Sequence, residues 1–423
     1  MALIVQKFGG TSVANPERIC RVSDRIAQSY HQGHQIVVVV SAMGDTTDDL
    51  IDLAHRVSKN PSLREMDMLL STGERISMAL LSMALSDRKV PAISLTGSQT
   101  GIITDTSHRR ARIRRILGDR ARDALAQGKV VIVAGFQGVS ETKEVTTLGR
   151  GGSDTSAVAL AVALQAESCD IYTDVDGVYS ADPRVVPQAK WLPMISHDAM
   201  VELATRGAGV LHPRSVELAK QFGVPLRVKN SLNESEGTQV GSTNKIQENS
   251  SRHSSVSQSR KPSSGAGMEE FAVTGVTSDR TKIFISVTLA RPTVVAALWD
   301  RAAQAHLSVV VPQFFNGQVN FFSDREGELE WKRHLEDLKN LGFLTAYELH
   351  TDWVPVSVVG DRFSQDGMAL NQVMEILASE QIGVSFGSAS ALAISVAVAA
   401  HRADDAVRAL HRHFLEEKKN HEV

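Results

Sequence analysis

The sequence predicts an α/β protein with a central, mostly parallel sheet, followed by two small α+β modules. Three observations predict this. Short β-branched runs alternate with helical periods through the first 240 or so residues. The composition then turns abruptly Ser-rich. Beyond that stretch a strand, helix, strand, strand pattern occurs twice.

In the first part, apolar runs at 3–8, 36–41, 92–95, 130–134 and 170–173 alternate with helical periods near 16–32, 47–60, 66–86, 108–127 and 153–165. Runs that are apolar at every position, such as 36–40, fit parallel strands covered on both faces. Met66, Met68, Met78 and Met83 read as the core face of a helix. Arg109, Arg110, Arg112, Arg114 and Arg115 read as a solvated helix face, because no aromatic residues interleave with them as in a nucleic-acid site. His212, beside Pro213, reads as structural, and no cluster has metal-ligand spacing.

The stretch 245–268 is rich in Ser and poor in apolar residues, so it cannot offset the entropy of ordering its backbone and is expected to be a flexible linker. The first copy of the later pattern runs over 282–289, 293–305, 307–311 and 318–323. The second runs over 354–359, 367–379, 383–386 and 391–399, with a closing helix at 403–416. The expected division is therefore 1–244, the linker 245–268, a first module 269–348 and a second module 349–423.

Composition narrows the function. Of the 423 residues, 45 are Lys or Arg and 48 are Asp or Glu, a formal charge of −3 that offers no wholesale grip on nucleic acid. Cys20 and Cys169 stand too far apart to suggest a disulfide framework. The N-terminal residues lead straight into a strand-like run without a signal-peptide pattern, and no apolar run approaches the roughly 20 residues that cross a bilayer. The expected location is the cytoplasm, with no membrane partner.

Two glycine-rich turns carry the chemistry. Lys7-Phe8-Gly9-Gly10-Thr11-Ser12 follows the first strand, so glycines lacking Cβ let backbone N–H groups approach a phosphate while Lys7 supplies charge. Gly149-Arg150-Gly151-Gly152-Ser153-Asp154 opens a helix. There Arg150 can hold a carboxylate with paired donors, and Asp154 can fix a lysine or a magnesium ion. The run from Asp174 to Arg184 follows the strand 170–173, where α/β folds place ligands, and reads as a nucleotide loop.

Together with Ser41-Ala42-Met43-Gly44, Gly73-Glu74, Gly135-Phe136-Gln137-Gly138 and Thr173-Asp174-Val175-Asp176-Gly177-Val178-Tyr179, these turns resemble the aspartate kinases of the amino-acid-kinase family, block by block and in order over residues 1–244. The two later modules resemble that family's paired ACT modules in pattern. The resemblance implies a three-layer kinase fold with βαββαβ modules and transfer of the γ-phosphoryl of ATP, with Mg2+, onto L-aspartate. That reaction is the first step toward lysine, threonine, methionine and diaminopimelate. It implies that Lys7 and Asp154 act in catalysis, and that Lys7, Phe8, Gly9, Gly10, Thr173, Asp174, Tyr179 and Arg184 hold ATP. Ser41, Thr47, Glu74, Arg150, Gly151, Gly152 and Ser153 would hold aspartate, with no residue set aside for a resident metal. It implies a dimer or tetramer through the ACT-like modules and a possible lysine or threonine effector. A kinase for glutamate and a non-catalytic regulatory paralogue are the alternatives.

Two departures qualify these expectations. Gly207-Ala208-Gly209-Val210-Leu211 carries glycine at position 209 where the family has lysine on the phosphate side, so reduced turnover is expected unless Arg206 or Arg214 substitutes. Ala290-Arg291-Pro292-Thr293 lacks the family's glycine before the helix, and Phe386-Gly387-Ser388-Ala389-Ser390-Ala391-Leu392 replaces a polar stretch that encloses effectors. Feedback inhibition is expected to be weak or absent.

Overall fold

The run Gln35–Val40, QIVVVV, leaves no polar face, and in the computed structural model it becomes a strand buried on both sides. Ile36, Val38 and Val40 join the cluster formed with Ile19, Val22 and Ile26 of the helix Pro16–His31 and Met78, Leu81 and Leu85 of the helix Thr72–Asp87. Val37 and Val39 are equally buried, and alternation along a strand turns them to the opposite face. The helix Gly152–Ala163 lies on that side: a Cβ on Gly135 would meet both Val39 and Ser153. Helices therefore cover both faces of the sheet. The structure describes residues 2–241, 271–363 and 367–416.

The chain forms two compact units. The first holds Met1–Val178, Leu192–Val201 and Gly209–Ser257, and the second Tyr179–Trp191, Glu202–Ala208 and Gln258–Val423. The first unit's main sheet has eight strands in the order Met194–Ile195, Thr238–Val240, Leu226–Asn230, Ser168–Thr173, Leu3–Phe8, Gln35–Val40, Val130–Ala134, Ala92–Leu95. All neighbours are parallel except Leu226–Asn230 with Thr238–Val240. A four-stranded sheet of Ile102–Thr104, Ile113–Ile116, Gln137–Ser140 and Val145–Thr147 completes the unit.

Three expectations are corrected. The Arg-rich segment is not one helix: its first part is a turn and the strand Ile113–Ile116, and only Asp119–Ala126 is helical. Positive φ at Arg109 and Gly118 breaks the helical path, and the Ala111 N–H donates to the Thr147 carbonyl instead of to a helical partner. Arg112, Arg114 and Arg115 are nonetheless exposed. The expected helix 66–86 divides at Ser71, whose carbonyl accepts from Gln137 Nε2 at 2.8 Å, leaving Leu63–Leu70 and Thr72–Asp87. Of its methionines, Met66 and Met78 are buried while Met68 and Met83 are exposed.

The third concerns the modules. Ala272–Ser278, expected in the first module, pairs antiparallel with Trp353–Asp361, strand to strand in the second. Its Val276 is 1% exposed and joins the cluster of Val356, Val358 and Leu410, so burial draws it there. Lys282–Leu289, Val310–Phe315, Gln318–Asp324 and Leu344–His350 make the first module's sheet, which is thus inserted into the second. The expected linker 245–268 lies outside the described residues.

Within the second unit, Ala181 and Val186 of the segment Tyr179–Trp191 pack in the same core as Val356 and Leu410. Ser180 Oγ lies 2.8 Å from Nε2 of the fully buried His411. Among the described residues no helix is long and apolar enough to cross a membrane.

Candidate active site

Parallel pairing fixes where the motifs meet. Lys7 is level with Val39 and Ile171, Phe8 with Val40 and Tyr172, and Val40 with Ala134. The turns that follow these strands therefore emerge side by side at one sheet edge, the edge at which open α/β sheets bind ligands.

The turns interlock where side chains are missing. A Cβ on Gly10 would lie 3.1 Å from the Ala42 carbonyl oxygen and 3.2 Å from that of Gly44, while the Gly44 N–H donates to the Gly10 carbonyl at 3.1 Å. The Gly9 N–H donates to Tyr172 O at 3.3 Å. Phe8 contributes no side chain to this edge: it is fully buried and stacks on Tyr172 with centroids 4.6 Å apart, so only its backbone could meet a ligand there.

The second glycine turn reaches the first through an ion pair. Gly149 and Gly151 adopt φ of +78° and +65°, the left-handed region open to glycine, and Gly151 caps the helix Gly152–Ala163. Its missing side chain matters twice, because a Cβ there would lie 2.0 Å from the His212 ring. Two residues into the helix, Asp154 Oδ1 lies 2.6 Å from Lys7 Nζ, with both side chains about nine-tenths buried (12% and 10% exposed). Lys7 and the Arg150 turn thus share one edge. Arg150 itself is exposed, while Ser153 is 7% exposed beside Gly135.

Glu74 sits in the first turn of Thr72–Asp87 and is 3% exposed. Gly73 permits this approach: a Cβ on it would fall 2.8 Å from that of Ala42. Glu74 Oε1 accepts the Ala42 N–H at 3.3 Å, whereas its buried Oε2 has no hydrogen-bond partner. Burial pushes its carboxyl up from 4.5 to about 7, against the opposing pull of the backbone N–H groups. An acceptor buried without a donor is costly unless a donor or a cation reaches it. Ser41 and Thr47 are half-buried in and just after the neighbouring turn, and the Ser41 N–H donates to Phe8 O at 3.1 Å.

At the neighbouring strand end Thr173 Oγ1 donates to Asp174 Oδ1 at 3.1 Å, and Asp174 is exposed. Asp176 accepts from Asn230 and Asn233 at 2.7 and 2.8 Å, which holds its carboxyl below the usual range, the Asn233 bond first. Tyr179 and Arg184 belong to the second unit, where Arg184 is paired with Asp182 at 2.7 Å and 90% exposed.

Neither arginine near Gly209 takes the place of the missing lysine. Arg214 donates to the carbonyls of Leu148 and Ala111 at 2.7 and 3.2 Å, and Arg206 is held by Glu202 at 2.8 Å and Ser395 at 2.6 Å. Sequence reasoning missed Asp67, wholly buried beneath the Arg150 turn, although a carboxylate at a buried position beside Met66 and Leu70 was a visible signal. It also read His212 as structural without its two contacts here, the Gly151 backbone and, through its N–H at 3.4 Å, Asp154 Oδ2.

Comparison with known proteins shows the family. The amino acid kinase family matches residues 2–230. The chain is 44% identical to the aspartokinase of Geobacillus stearothermophilus over 98% of this chain and 97% of that one. It is 42% identical to the aspartokinase of Mycolicibacterium smegmatis over 98% and 96%. Its fold matches that of E. coli aspartokinase III in complex with aspartate and ADP, with a TM-score of 0.81, 24% identity and coverage of 98% and 100%. On a family match spanning more than half the chain and on identity sustained along nearly all of it, the chain belongs to the amino acid kinase family, among its aspartokinases.

Proposed function

We propose that the chain transfers the γ-phosphoryl group of ATP to the side-chain carboxylate of L-aspartate, giving 4-phospho-L-aspartate, at the edge where Lys7, Asp154, Glu74 and the Arg150 turn meet. The observation that carries the reading is the 2.6 Å pair of Lys7 with Asp154, which ties the two glycine turns into one site.

The chemistry asks little of a base. A carboxylate with an ordinary pKa of about 3.9 is already a nucleophile at neutral pH, so positioning and charge neutralisation supply the catalysis. Arg150 clamps the α-carboxylate with paired donors, and Glu74 takes the ammonium on its unpartnered Oε2. That leaves the side-chain carboxylate to attack. Gly9 leaves the space beside the Lys7 ammonium open, Gly10 lets the neighbouring turn close in, and Lys7 offsets the charge that develops on the transferring group. Gly151 and Ser153 stand at a helix start, where Gly152 closes the turn by donating its N–H to the Gly149 carbonyl at 3.0 Å, and Ser41 and Thr47 line the substrate side. Thr173 and Asp174, at the end of the neighbouring strand, receive the nucleotide.

Mg2+ bound with ATP would supply charge neutralisation at the phosphates. The carboxylate that would hold it is Asp154, whose Oδ1 pairs with Lys7 and whose Oδ2 accepts a long bond of 3.4 Å from the His212 N–H. With Gly209 in place of a second cation, turnover is slow for this chemistry. Assembly into a dimer or tetramer runs through the small modules, whose edge strand Val310–Phe315 leaves Phe314 and Phe315 56% and 77% exposed.

The test is acyl phosphate formation trapped with hydroxylamine, dependent on ATP and aspartate. Arg150→Ala should lower kcat/KM for aspartate by about 100-fold or more. Equal signal from the variant and the parent chain refutes the assignment.

A further inference from the structure

We propose that Asp67 is a positioning residue for aspartate binding: it never meets the substrate, and it sets the location of the turn that carries Arg150. The inference rests on the reading of that turn as the substrate clamp.

Asp67 is 0% exposed, on the buried side of Leu63–Leu70. A carboxylate in such a place persists only where donors surround it. Thr147 Oγ1 donates to Oδ1 at 2.6 Å, and His108 Nδ1 lies 2.7 Å from Oδ2. The Arg109 N–H is shared between both oxygens at 3.1 Å. One side chain thus gathers two chain segments, the turn at His108 and Arg109 and the end of the strand Val145–Thr147.

These two segments cradle the glycine turn. The Ala111 N–H donates to Thr147 O at 2.9 Å, and Arg214 bridges the carbonyls of Leu148 and Ala111. Gly149, at φ +78°, packs so closely that a Cβ on it would lie 2.9 Å from the Arg109 carbonyl oxygen. Arg150 follows directly. It stands three residues after Thr147, and the chain between is held by Arg214 and packs on Arg109, whose N–H donates to Asp67. A carboxylate suits this task because it accepts from an imidazole, a hydroxyl and a backbone N–H at once. An amide of the same shape presents an NH2 to groups that are themselves donors.

The experiment uses the full-length chain and reads kcat, KM for aspartate, KM for ATP and Tm. Asp67→Asn should raise the aspartate KM by about 10-fold or more while the ATP KM stays within about two-fold, because a displacement near 1 Å in a binding group has effects of that size. Thr147→Val should act in the same direction, Thr147→Ser should restore the parent value, and Asp67→Asn with Thr147→Val should fall short of the product of the two. If Asp67→Asn does not fold, the Thr147 pair carries the test. An unchanged aspartate KM, or equal rises in both KM values with a lowered Tm, overturns the proposal in favour of a purely structural carboxylate. An aspartate KM raised by Arg150→Ala and untouched by Asp67→Asn refutes this inference alone. An aspartate KM untouched by Arg150→Ala refutes the site assignment, and the inference with it.

Discussion

Glu74 should weaken the fold in order to bind substrate, and the conflict can be measured. Its carboxyl ionises near 4.5 in an unfolded chain and at about 7 in the folded one. Between those values the folded state keeps a proton that the unfolded state has released, so stability falls as pH rises, and the full loss is reached above 7. At about 1.4 kcal/mol per pH unit, this burial destabilises the first unit by on the order of 3 kcal/mol at pH 8. Glu74→Gln removes the ionisation. The variant should therefore melt up to about 10 °C higher than the parent chain at pH 8, with the gap closing toward pH 4.5, as scanning calorimetry without ligands would record. The same substitution removes the partner of the substrate's ammonium, and the aspartate KM should rise by about 10- to 100-fold. In the parent chain the aspartate KM should fall as pH rises through about 7, because the binding form of Glu74 is the charged one. A melting difference that is the same at pH 5 and pH 8, or an unchanged aspartate KM, refutes the reasoning.

Two further outcomes test the departures from the family pattern. No atom lies within 4 Å of a Cβ built on Gly209, so Gly209→Lys is accommodated and should raise kcat by about 10-fold or more if a cation is what turnover lacks; an unchanged kcat sinks that account. Lysine and threonine should inhibit weakly or not at all. The cavity of ≈ 460 Å3 beside the altered stretch is lined by Gln313, Leu370, Met374, Phe386 and small residues, with no charged side chain to meet a zwitterion. Strong inhibition at sub-millimolar concentration of either amino acid in a steady-state assay contradicts it.

The position of the candidate residues was legible wherever they stand at a strand end or in the turn that follows it. Lys7, Gly9 and Gly10, then Arg150 to Asp154, then Thr173 and Asp174 each stand at such a place, and their residue types announce a phosphate or a carboxylate without reference to anything distant in the chain. Phe8 shows the limit of that reading. Inside the motif its side chain looks available, yet strand alternation turns it into the core against Tyr172.

By itself the sequence determined most element types, the apolar strands of a covered sheet, the glycine turns and the pattern of two small modules. All of these follow from periodicity and turn chemistry over a few residues. Only the tertiary structure decided which segments take each other's hydrogen bonds. The Arg-rich stretch gave up a helix because its backbone found Thr147 and Asp67, partners lying far along the chain. Ala272–Ser278 left its expected module for Trp353–Asp361 because that is where its valine is buried. Asp67 reaches Thr147 across 80 residues of sequence, and Lys7 reaches Asp154 through parallel pairing of strands that are not adjacent in the chain. Local pattern states what a residue needs, a donor, an acceptor or cover from water, and packing of the whole chain decides which distant group supplies it.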